Sequence, residues 1–158
     1  MKIKKWLPYI IGIGSAVGVG IISGLLSMGG MELYSKTVLK PSLTPPDWLF
    51  PAVWTILYVL MGIGATRIWL TADSPARKMG LNLYIAQLIV NFFWSLIFFN
   101  AQAFGFAVLW LILLWTLVFL MILSFYKADK IAAFLQIPYL FWLTFALYLN
   151  IAVWLLNK

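Results

Sequence analysis

Apolar residues along this chain come in five continuous runs, Trp6 to Gly30, Trp48 to Leu70, Met79 to Asn100, Phe104 to Tyr126 and Ile131 to Leu156, separated by short polar stretches. Each run is close to the roughly 20 residues that an α-helix needs to cross a hydrocarbon core of about 30 Å. The runs do not alternate with period two, and no turn signals recur at ten-residue spacing, which argues against a closed β-barrel. The pattern predicts an all-α membrane protein, a bundle of five transmembrane helices forming one domain over residues 1–158. Between the first two runs lies the longest connector, residues 31–47, with Pro41, Pro45 and Pro46.

Composition agrees with the runs. In 158 residues the chain is 65% hydrophobic and 9% charged, with a mean hydropathy of +1.02, whereas a soluble domain carries about 25% charged residues. A net charge of +7 in a soluble protein would suggest nucleic acid. Here the basic residues sit at the ends of apolar runs, as membrane topology demands, and no nucleic-acid partner is expected. Lys2, Lys4, Lys5, Arg67, Arg77, Lys78, Lys127 and Lys130 fall on one side, against Lys36, Lys40 and Lys158 on the other. The excess of positive charge places the N-terminus in the cytoplasm, the C-terminus outside and the 31–47 loop external, in a plasma (inner) membrane. The first run also fits the opening of a secretory signal peptide, but it outlasts the usual apolar stretch of about 7 to 15 residues.

Several chemistries are excluded. There is no cysteine and no histidine, and the only acids, Glu32, Asp47, Asp73 and Asp129, lie at or beyond the ends of the runs. No ionisable group occupies a bilayer midplane, so the machinery of ion-coupled carriers and proton pumps is missing. No metal-ligand spacing or phosphate-binding glycine loop occurs, and neither a metal nor a cofactor is expected.

The remaining chemistry lies on three helical faces. Pro51, Trp54, Tyr58, Met61 and Ala65 recur at steps of three and four on the second helix. On the third helix Gln87, Asn91, Ser95 and Gln102 line up, with Trp94 and Phe98 beside them, and on the fifth Tyr139, Trp142, Ala146, Asn150 and Val153. At a rise of about 1.5 Å per residue, Trp54, Asn91, Ser95, Ala146 and Asn150 all fall roughly 8 to 15 Å below the external surface, with Trp142 one turn deeper. These faces predict an aromatic pocket with a few neutral orienting groups, suited to a flat hydrophobic ligand and roofed by the proline-rich loop. The competing reading is that the amides only join helices and the tryptophans only mark an interface. Thr44 or Asp47 is expected to cap the second helix. In the first helix Gly14 with Gly18, and Gly20 with Gly24, have the spacing of close helix packing, within the chain or across a dimer. The fourth, with Trp110, Trp115 and Phe119, reads as a lipid-facing or packing element.

The loop and second helix, KPSLTPPDWLFPAVWTILYVLMG, resemble the signature of the tryptophan-rich sensory proteins, the TspO/MBR family. These are bacterial relatives of the mitochondrial translocator protein, or peripheral benzodiazepine receptor. NFFWSLIFF from Asn91 and PYLFWLTFALYLN from Pro138 are similar to two further family motifs. The resemblance implies a five-helix bundle, commonly a homodimer, that binds porphyrins and related tetrapyrroles as a receptor or transport-type protein. It places Trp54, Tyr58, Asn91, Trp94, Ser95, Trp142 and Ala146 in the ligand pocket. Trp54 and Trp142 match tryptophans implicated in light- and oxygen-dependent porphyrin breakdown, the alternative function; a membrane scaffold with an incidental pocket is the third. The sterol-recognition pattern of animal members is broken here, because Tyr148 meets no basic residue before Lys158.

Overall fold

The computed structural model describes residues 4–158; Lys2, counted above among the N-terminal lysines, lies outside the described residues. Among these residues there are helices and no strands. The helices are α1 (Leu7–Thr37), α2 (Leu49–Trp69), α3 (Pro75–Ser95) running into a π-helical turn (Leu96–Asn100), α4 (Phe104–Ala128), α5 (Lys130–Phe134) and α6 (Ile137–Leu156). Five stretches are long and apolar enough to cross a membrane, α3 with its π turn counting as one and α5 with α6 as another. The chain is an integral membrane protein, a bundle of five transmembrane helices.

The first helix is longer than its apolar run. It continues to Thr37, so that the connector shrinks to residues 38–48. Three local interactions carry it past Gly30: the Lys36–Glu32 ion pair at 2.6 Å, and hydroxyl bonds from Ser35 to the Glu32 carbonyl and from Thr37 to the Leu33 carbonyl. Tyr34 anchors this extension by packing on Phe98 and Phe99. At 31 residues α1 is about 46 Å long and outreaches a hydrocarbon core of about 30 Å.

Of the glycines paired by spacing, Gly20 meets α2, at the Tyr58 ring, but neither pair forms a backbone-to-backbone seam. A side chain on Gly14, Gly18 or Gly24 would meet nothing within 4 Å among the described residues. The close approach is at Gly12 and Gly62, where a Cβ on Gly62 would stand 2.5 Å from Ile13 Cα and 2.7 Å from the Gly12 carbonyl. Spacing alone could not tell which glycines face α2 because every face of α1 carries small residues.

Helix α4 is a packing column. Its Ala107, Leu111, Leu114, Val118, Met121 and Phe125 are almost fully buried, while Leu109, Leu113 and Leu120 face outward. Trp110 and Trp115 tie it sideways through indole N–H bonds to the Val90 carbonyl and the Thr144 hydroxyl.

The last span is not continuous. Asp129 accepts the Ala132 amide at 3.0 Å and starts α5, which stops after five residues; Gln136 and Pro138 then open α6. Gln136 crosses to α2 by donating to the Leu60 carbonyl. Gln102 is likewise off the helix where its spacing placed it, in the α3–α4 turn with φ of 48°.

The ends of the bundle are closed by different means. At one end Arg67 pairs with Asp129 at 2.7 Å, close to the α2–α3 connector where Arg77 donates to the Trp69 carbonyl. At the other, Asn157 accepts the Leu39 amide and donates to the Leu39 carbonyl, both at 2.9 Å, so the last residues hold the start of the 38–48 loop.

Candidate functional site

At the loop end the helices part around a cavity of about 680 Å³. All eight ligand-pocket candidates from the sequence, Trp54, Tyr58, Asn91, Trp94, Ser95, Trp142, Ala146 and Asn150, line it. Periodicity explains why one surface collects them: Trp54 and Tyr58 are one turn apart on α2, Asn91 and Ser95 one turn apart on α3, and Trp142, Ala146 and Asn150 successive turns of α6.

The polar floor is already knitted together. The Asn91 side-chain amide donates to the hydroxyls of Tyr139 at 3.0 Å and Tyr58 at 3.3 Å, and Tyr139 donates onward to Gln87 Oε1 at 2.9 Å. Gln87 and Tyr139 are buried beneath the cavity rather than on its wall. Asn150 accepts the Trp94 indole N–H at 3.3 Å and donates to the Phe104 carbonyl at 2.9 Å. These amides do join helices, as membrane amides commonly do. The Asn91 carbonyl oxygen is held by no protein donor among the described residues.

The walls are aromatic. Trp54 packs on Tyr58 and on Tyr139 at centroid distances of 5.7 and 6.1 Å, Phe50 meets Trp142 edge-on at 5.9 Å, and Trp94 stacks on Phe98 at 5.2 Å. Mutual packing fixes the planes of these rings and leaves flat apolar surfaces facing the space between them. The π turn contributes Phe98 and Phe99; its wider coil, closed by the Ala101 amide on the Leu96 carbonyl, carries α3 across the outer part of α1, where Asn100 donates to the Leu26 carbonyl.

Two parts of the lining escaped the sequence reading. Gly20, Ile21, Ser23, Gly24, Leu25 and Met28 make α1 a wall of the cavity; small side chains leave room without advertising it, although the glycine richness of α1 was the available signal. At the mouth stand Glu32, Tyr34, Ser35, Lys40, Thr44 and Asp47.

Pro41, Pro45 and Pro46, expected to form the lid, do not touch the cavity. They stiffen the backbone from which Lys40, Thr44 and Asp47 reach in. Thr44 is not a helix cap: its amide and hydroxyl both bond to the Pro41 carbonyl, at 3.1 and 2.8 Å, and close a turn. Asp47 does not cap either, since α2 begins after Trp48 without a side-chain hydrogen bond.

Fold and cavity together define a class: a five-helix membrane protein with an aromatic chamber at one end, entered beneath a pinned loop. The chain belongs to the TspO/MBR family, whose profile it matches over residues 12–155. It is 36% identical to tryptophan-rich protein TspO of Chlorobaculum tepidum over 155 residues, covering 98% of each chain. With protein CrtK of Rhodobacter capsulatus it shares 40% over 158 residues, 99% of this chain and 95% of that one. The similarity reaches animals, at 36% identity to the translocator protein of Sus scrofa over 97% of this chain and 92% of that protein. Membership supports a membrane receptor or transport-type role.

Proposed function

We propose that the protein is a receptor or transport-type binder of tetrapyrroles such as protoporphyrin and of similar flat hydrophobic molecules. The observation that carries this reading is the chamber of about 680 Å³ with Trp54, Tyr58, Trp94 and Trp142 on its walls and no charged group at its floor. Small-molecule sites of about 300 to 1,000 Å³ with apolar walls and few polar groups are the usual form. In this reading the N-terminus is cytoplasmic and the loop end faces outward across a plasma (inner) membrane, because Arg67, Arg77, Lys78, Lys127 and Lys130 crowd the opposite end. The working unit is a homodimer, as the family resemblance implies.

Quenching of tryptophan fluorescence by protoporphyrin in the dark tests the reading. Saturable quenching is expected for the native protein and its loss for Trp54→Phe combined with Trp142→Phe. Non-saturable quenching shared by both would mean partition into detergent and would sink the proposal. The second reading, light- and oxygen-dependent porphyrin breakdown, is favoured by Trp54 and Trp142 facing one chamber. Illumination separates the two: breakdown should require light and oxygen and fail in Trp142→Phe while dark binding survives.

A further inference from the structure

The charges of the chamber collect at its mouth, where Glu32, Lys40 and Asp47 line it. Two carboxylates against one ammonium would repel an anion if all three were equally available, but their surroundings differ. Glu32 is two-thirds exposed to water and is paired with Lys36 at 2.6 Å. Asp47 is 84% exposed and stands 3.9 Å from the Lys40 ammonium, too far for a hydrogen bond.

Lys40 is the opposite case, with 26% of its side chain exposed. Its ammonium lies 5.3 Å from the centre of the Tyr34 ring, which is itself packed on Phe98 and Phe99. The preceding residue, Leu39, is held at both its amide and its carbonyl by Asn157. The cation is therefore held in place while its acidic partner is loose. The Lys40–Asp47 contact is thus a loose one of the kind that contributes little.

We propose that Lys40 reads a carboxylate on the edge of the bound molecule, so that the chamber selects flat apolar ligands carrying an anionic group at one end over neutral ligands of the same shape. This rests on the reading of the chamber as a tetrapyrrole site and adds its selectivity. The ligand's carboxylate takes the place of Asp47, which turns into water at little cost because exposed ion pairs contribute little. The apolar body lies between the tryptophans, and the anion stays at the wet rim, where it keeps part of its hydration.

The test compares protoporphyrin, a dicarboxylic acid, with its dimethyl ester by saturable fluorescence quenching in the dark. The native protein should bind the acid roughly tenfold more tightly than the ester, the size expected of one charge-assisted hydrogen bond. Lys40→Met should abolish that preference and Lys40→Arg should retain most of it. Asp47→Asn, at an exposed position that leaves packing intact, should increase the preference by removing the competing carboxylate. Equal affinity of the native protein for acid and ester, or a preference that survives Lys40→Met, would overturn the inference alone. Binding of neither form would overturn the tetrapyrrole reading and the inference with it.

Discussion

The Arg67–Asp129 end and the loop end of this bundle use the same helices to opposite effect. Near the ion pair, α1 meets α2 backbone to backbone at Gly12 and Gly62, and Gly64 lies against Gln136 of the last span. Near the loop, α1 changes partner: Gly30 lies on the Phe99 backbone of the π turn, and Asn100 bonds to Leu26. The space left among α1, α2, α3 and α6 is the chamber. Helix separation is set by which residues stand at each crossing, and the bundle becomes a receptacle where the glycines of α1 face tryptophans of α2, α3 and α6 instead of another backbone.

The largest effect should come from wedging the tight end apart. Gly62→Val would drive a side chain into the backbone of Ile13 and the Gly12 carbonyl, neither of which can move aside. A loss of about 3 kcal/mol is expected, read as a lower melting temperature in detergent. Unchanged melting would show that α1 is not seated against α2 as described.

Asp129→Ala comes next. It removes both the Arg67 pair and the amide bond that starts α5, at an expected cost of about 2 kcal/mol. The pH dependence has a definite sign. Burial by itself would raise the Asp129 carboxyl, but the Ala132 amide and Arg67 outweigh it and hold the group below its ordinary value of 3.8. A depressed folded value contributes stability that is present above the unfolded value and lost as pH falls through the folded one. Native protein should therefore lose stability below about pH 4 more steeply than Asp129→Ala. Asp73, held low by a hydrogen bond from Lys78 and by the charges of Lys78 and Arg77, titrates in both proteins and cancels in the comparison. Parallel pH curves would reject the role given to Asp129.

Smaller again is Ala146→Leu at the open end, where three extra carbons enter the chamber. Protoporphyrin binding should weaken roughly tenfold, about 1.4 kcal/mol, with melting unchanged. Unaltered affinity in a folded variant would place the ligand elsewhere. The smallest effect should have the opposite sign: Gly18→Ala meets no neighbour and should gain at most about 1 kcal/mol from helix propensity. A large loss there would reveal a contact across a dimer.

Much of this architecture was readable in the chain. Five spans follow from the runs because a bilayer enforces length and continuity. The convergence of Trp54, Asn91, Ala146 and Asn150 follows from helical periodicity and depth. What could not be read has physical reasons. Glu32 to Thr37 looks like loop because its helix is held by local side-chain bonds and by one aromatic anchor, Tyr34, rather than by a continuous apolar run. The interruption at Leu135 and Gln136 hides inside an apolar run, since hydropathy does not sense backbone bonding. The lining from α1 and the mouth around Lys40 depend on where one helix sits against another, which no local pattern encodes.

The two bonds between Leu39 and Asn157 join positions 118 residues apart. A chain is made and inserted in order, so the loop exists long before the residue that fastens it. The four earlier spans can be in the bilayer before α6 brings Trp142, Ala146 and Asn150, so until then the chamber lacks both that wall and the fastening of its loop. Only when the final helix has been threaded is the loop latched. The rim of the chamber is thus fixed late in assembly, and a nascent chain arrested before Asn157 would be a receptacle without that fastening.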